Sequence, residues 1–193
     1  MENIPYVSLV VTSIVSSSYA TDVLGKMHYE SGAQGVFDIT HSIIPDYYQH
    51  EVATNYIPLT LIATVPFLPN SYQLAEEFSS RFLLICLLRA ITIVSTILPK
   101  HPKCTNQFGL KTIFHGQAYD KIFSGHTSFV LLATLLLSRE KLLSSWLFYT
   151  LNATEISIIL ATRSHYTVDV ILACIITYLL HEGNYTIFSL QRT

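Results

Sequence analysis

Ser124-Gly125-His126-Thr127-Ser128-Phe129-Val130-Leu131-Leu132-Ala133-Thr134-Leu135-Leu136-Leu137 starts with small and polar residues and runs on into an uncharged apolar stretch. A second stretch answers it: His165-Tyr166-Thr167-Val168-Asp169 opens an apolar run that reaches Leu180. Residues 142–160, between the two, are apolar as well. Segments of this length and composition read as membrane helices, because a bilayer-spanning backbone must satisfy its own hydrogen bonds. The chain then crosses and returns between the motifs, which brings His126 and His165 to one membrane face.

The residue types at that face carry chemistry. His165 and Asp169 are four apart, so on a helix they share a side. There the carboxylate can accept from one imidazole nitrogen and leave the other as a nucleophile. Ser124 and Gly125 look like a helix start with a small N-cap and open backbone, which suits a phosphate. His126 then lies within reach of that phosphate as a general acid. Each motif alone is more often structural, a helix cap or a His-carboxylate hydrogen bond. Two His and one Asp also form a zinc set. No further ligand cluster or Cys pair accompanies them, so neither metal nor cofactor is expected.

Tyr119-Asp120-Lys121-Ile122-Phe123-Ser124-Gly125-His126-Thr127 and His165-Tyr166-Thr167-Val168-Asp169-Val170 resemble two signature blocks of the sphingomyelin synthases, within the lipid phosphate phosphatase (PAP2) superfamily. Arg89-Ala90-Ile91-Thr92, Thr96-Ile97-Leu98-Pro99 and Lys103-Cys104 are similar to that family's third helix and the loop after it. The resemblance covers roughly the last hundred residues well and the first eighty poorly. It implies transfer of a phospho-head group, phosphocholine first, from a glycerophospholipid such as phosphatidylcholine to ceramide, releasing diacylglycerol. His126, His165 and Asp169 are the implied catalytic residues; Arg89, Ser124 and Gly125 are the expected phosphate-binding ones. A Golgi or plasma membrane location with a lumenal or extracellular site is implied too.

Departures from the pattern are specific. The superfamily's phosphatases carry an arginine six residues before the second histidine, where this chain has Ile159 and its nearest arginine is Arg163. That favours the synthase branch. Ala118-Tyr119 and Arg163-Ser164 replace the synthases' own residues beside the motifs, which leaves choline, ethanolamine and inositol phosphate open as head groups. A PAP2-type lipid phosphatase, a non-catalytic membrane module and a metal-dependent membrane hydrolase are the rivals.

The whole chain fits a polytopic membrane protein. Of 193 residues, 50% are hydrophobic and 12% charged, a composition outside that of ordinary soluble domains. One catalytic domain over 1–193 is expected, with its core at about 82–182. A net charge of −2 and the lack of a basic stripe argue against nucleic acid. Cys86, Cys104 and Cys174 make no disulfide framework. The expectation is an all-α bundle of about six membrane helices, at 6–24, 56–68, 82–98, 122–137, 142–160 and 166–180. Residues 25–51 read as a loop with a turn at Ile44-Pro45-Asp46, and Pro58 and Pro66 as kinks in the second helix. Arg89 at membrane depth marks function by default and is expected to reach the phosphate or Asp169. Lys100, Lys103, Lys111 and Lys121 could gather anionic heads. Glu155, unplaced by the family pattern, is given a packing role. The basic residues, read by the positive-inside rule, put the catalytic face in the cytosol, against what the resemblance implies.

Overall fold

The computed structural model describes residues 4–29, 35–104 and 119–183, and every regular element among them is helical. The helices are α1 (Ile4–Tyr29), α2 (Ile39–Ile43), α3 (Tyr56–Thr64), α4 (Ser71–Ser95), α5 (Gly125–Arg139), α6 (Ser145–Ala161) and α7 (Thr167–Glu182). Short 3-10 turns at Tyr48–Asn55 and Val65–Phe67 flank α3.

Several boundaries differ from the sequence expectation. The first helix continues to Tyr29 rather than ending in a loop at Gly25. The fourth starts at Ser71, well before Phe82, because the polar residues of its first turns are absorbed by ion pairs. Glu77 holds Arg81 at 2.7 Å and Arg139 at 2.6 Å. Arg81 is buried and also donates to the carbonyls of Leu180 and His181, tying α4 to the end of α7. Pro58 lies in the first turn of α3, where its missing N–H costs nothing, and Pro66 ends that helix as a 3-10 turn. The six-crossing expectation is met only in part: among the described residues one helix, Ser71–Ser95, is long and apolar enough to cross a membrane.

α1 packs along α4, and α5 sits between α4, α6 and α7. The central apolar cluster joins Ile85 of α4, Leu132 and Leu136 of α5, and Leu180 of α7 to Phe123. Phe129 of α5 meets Phe78 and Phe82 of α4 edge-on beside it, with centroids 4.8 and 5.4 Å apart. Asn152 donates to Thr134 at 2.9 Å and fixes the register of α6 on α5. This packing holds the starts of α5 and α7 side by side: the Ser124 N–H reaches the Asp169 carbonyl at 3.4 Å.

Candidate active site

At the start of α5 the chain turns sharply. Phe123 takes a left-handed backbone (φ 65°), Ser124 returns to an extended one, and the helix begins at Gly125. A buried, bulky residue at positive φ is costly and persists only where its surroundings enforce it. Here Arg89 does so: its Nε donates to the Phe123 carbonyl at 3.0 Å. Its NH2 pairs with Asp120 at 2.6 Å, and Ser18 of α1 donates to the other Asp120 oxygen at 3.3 Å. Ser124 is fully buried and caps the helix, accepting from the Thr127 N–H and, at 2.9 Å, from its hydroxyl. A Cβ on Gly125 would touch Arg89 Nε at 3.4 Å, so the guanidinium lies directly on the helix start. Arg89, Ser124 and Gly125 therefore form one corner, where a cation and the positive end of a helix coincide. The sequence left Arg89 a choice between the phosphate and Asp169; its ion pair here is with Asp120.

His165 lies just beyond α6 and two residues before α7, so the helical i, i+4 geometry expected for His165 and Asp169 is not realised. Its ring is buried, and Nδ1–H donates to the Lys121 carbonyl at 2.5 Å. Asp169 Oδ2 stands 3.9 Å from the same nitrogen, beyond hydrogen-bond reach but close enough for its charge to act. That oxygen accepts from the Tyr166 N–H at 2.9 Å, which caps α7. With its proton committed to a carbonyl on Nδ1, the neutral ring has its lone pair on Nε2.

Lys121 is a residue that sequence reasoning missed in this role. The sequence places it among a loop's anion-gathering lysines, yet it is 5% exposed. Its Nζ donates to the carbonyls of Ser164 at 2.8 Å and Arg163 at 3.4 Å, while its own carbonyl holds His165. One residue thus fastens both sides of the turn that presents the ring. Of the other lysines, Lys103 pairs with Asp46 at 3.0 Å and Lys100 lies over the Tyr119 ring. Lys111 and Ala118 fall outside the described residues.

The segment before α3, which the sequence left as loop, folds over this end. Asp38 accepts from the Thr167 N–H at 2.7 Å and from its hydroxyl at 2.8 Å. His41 Nε2 donates to the His165 carbonyl at 3.0 Å, and its ring lies 5.2 Å from that of Tyr166. Arg163, itself at positive φ (59°), donates to the carbonyls of His41 and Ile44. Burial and the nearby Arg163 charge hold the His41 imidazole below its ordinary pKa, against the pull of Asp38. Burial pushes the Asp38 carboxyl up, but the hydrogen bonds from His41 and Thr167 outweigh it and leave it below the usual carboxylate range. Asp46 forms the expected turn, accepting from the Tyr48 N–H at 2.9 Å; that bond and Lys103 draw its pKa down to about 2. Asn55, at the end of the segment, accepts from His126 Nε2 at 3.1 Å. A first large loop with Asp, His, Tyr and Asn was the only signal for these contacts, and such composition is shared by ordinary turns.

A search of curated proteins gives no match to the chain. Residues 119–187 match the family described as PAP2 superfamily C-terminal, and they span both motif blocks. The match reaches the superfamily and not the synthase branch within it. Residues 119–187, which hold His126, His165 and Asp169, are therefore similar to the C-terminal part of the PAP2 superfamily.

Proposed function

We propose that this chain is a sphingolipid synthase that moves a phospho-head group from a glycerophospholipid to ceramide through a phosphohistidine. The observation that carries the reading is the fixed His165 ring, with Nδ1–H committed to Lys121 and the lone pair placed on Nε2. In the first step Nε2 attacks phosphorus and the bond to the diacylglycerol oxygen breaks. That oxygen takes its proton from His126, and the head-group phosphate stays on His165. In the second step His126 removes the proton of ceramide's primary hydroxyl, whose oxygen attacks phosphorus. The P–N bond breaks and its electrons return to Nε2. Arg89 and the start of α5 oppose the phosphate charge throughout.

Transfer rather than hydrolysis is supported by Ile159, which is fully buried with Leu160 and Val170 at the position where the superfamily's phosphatases have an arginine. Arg163 donates through Nη2 to the carbonyls of His41 and Ile44, and its Nη1 has no hydrogen-bond partner among the described residues. At Ile159 itself a monoester with two negative charges meets no cation, whereas a diester carries one charge and needs less. The bundle is read as six crossings, with both termini on one side and the site at the lumenal or extracellular face. Apolar side chains turned outward along α6 and α7, among them Trp146, Tyr149, Ile171 and Ile175, suit lipid contact better than water.

The test is to incubate purified protein in detergent micelles with labelled phosphatidylcholine, phosphatidylethanolamine or phosphatidylinositol, with and without ceramide, and to identify products by mass. Head-group transfer to ceramide is expected, with phosphatidylcholine the best donor. Inorganic phosphate released from phosphatidic acid faster than any head group reaches ceramide establishes the phosphatase instead.

A further inference from the structure

We infer that Asn55 is the positioning residue for His126, setting which ring nitrogen carries the proton. The inference rests on the phosphotransfer reading for its kinetic consequence alone. Asn55 occupies the N-cap of α3, where asparagine is among the most favoured residues because its side-chain oxygen accepts from the helix's first N–H groups. At this cap no such bond forms. The oxygen is turned away from α3 and receives His126 Nε2 at 3.1 Å instead. The amide is oriented by its other end, since Nδ2 donates to the Val52 carbonyl at 3.4 Å. With Nδ2 engaged by an acceptor, Oδ1 faces the imidazole, and an oxygen that only accepts requires a proton on Nε2. The neutral ring then has its lone pair on Nδ1.

The two histidines are thereby set in opposite tautomers by two different acceptors: His165 by a carbonyl on Nδ1, His126 by an amide on Nε2. With Nε2–H held by Asn55, Nδ1 is the nitrogen that gives its proton from the imidazolium to the leaving oxygen in the first step and, in the neutral ring, takes the ceramide proton in the second. Asn55 lies in the part of the chain that the superfamily match does not cover, so the reach of the site extends to the 3-10 turn at Tyr48–Asn55.

Asn55→Ser keeps a small polar residue at the start of α3, where Asn55 makes no capping bond, but is too short to reach the ring. The tautomer of His126 is read from imidazole nitrogen shifts in histidine-labelled protein, assigned by comparison with His126→Gln. Wild type and Asn55→Asp, which retains an acceptor oxygen, are expected to hold the proton on Nε2, while Asn55→Ser shifts it toward Nδ1. Turnover in Asn55→Ser is expected to fall by about 10-fold or more in kcat with KM little changed, and to return in Asn55→Asp. An unchanged tautomer in Asn55→Ser, or unchanged kcat, overturns the inference. The nitrogen shifts need no substrate, so a protein that moves no head group but shows the tautomer change defeats the synthase reading and leaves the Asn55 contact standing.

Discussion

At the residue scale, His165 depends on what holds its ring. His165→Ala removes the proposed nucleophile and is expected to abolish turnover. Asp169→Asn removes the charge 3.9 Å from Nδ1 while keeping an oxygen for the Tyr166 N–H, so α7 stays capped. Its kcat is expected to fall by about 10²-fold, by analogy with triad carboxylates that stabilise an imidazolium. Near-normal kcat in the asparagine variant returns Asp169 to a capping role. Arg89→Lys keeps a charge but cannot hold the Phe123 carbonyl and Asp120 together, because a point charge lacks the planar fork. A drop of about 10-fold in rate is expected, and full activity in the lysine variant makes Arg89 dispensable to the site. Glu155 is 1% exposed and neither carboxyl oxygen has a hydrogen-bond partner among the described residues. A buried polar group without a partner costs stability. Glu155→Leu is therefore expected to raise Tm by about 2–4 °C, and Glu155→Gln to keep turnover. A folded Glu155→Gln protein without activity contradicts the packing role.

At the element scale, the segment from Asp38 to Asn55 is what the sequence concealed. The helices of the C-terminal half were legible because each is a long apolar run closed by polar residues, and Ser124 as a small residue before such a run announced the cap of α5. The start of α5 was misplaced by three residues and that of α7 by one, since neither the left-handed turn at Phe123 nor the one at Arg163 follows from periodicity. The docking of Asp38 on the start of α7 and of His41 on the turn before it could not be read at all: it depends on contacts between residues more than a hundred apart. It has a pH signature. The His41 imidazole is held below its ordinary value in the docked state, so release of the segment takes up a proton. Docking is therefore complete above about pH 6.5 and weakens as pH falls below that value. Asp38, held below the carboxylate range, weakens it further only in stronger acid. Hydrogen exchange at residues 38–47, corrected for intrinsic rate, should accelerate between pH 7.5 and 5.5 in wild type and change little in His41→Gln. Equal acceleration in both proteins removes His41 from the account.

At the scale of the whole molecule, the bundle sets three apolar helix ends around one polar turn system, and the two histidines are reached from different parts of the chain. α4 brings Arg89, the turn before α5 brings Lys121 and Ser124, and the early segment brings Asn55. The composition and the two motif blocks were enough to indicate a helical chain and a likeness to the PAP2 superfamily, which the match over residues 119–187 supports. Neither the acceptor nor the head group is encoded in that pattern; both depend on side chains flanking the phosphate. The central claim is that the head group passes through His165. Its most direct measurement is rapid quenching of the protein with phosphatidylcholine in the absence of ceramide, at neutral to alkaline pH, followed by peptide mass analysis. A phosphocholine adduct on His165 is expected, lost on addition of ceramide and absent in His165→Ala. Head-group transfer with no adduct on His165, or an adduct that persists in His165→Ala, contradicts the account.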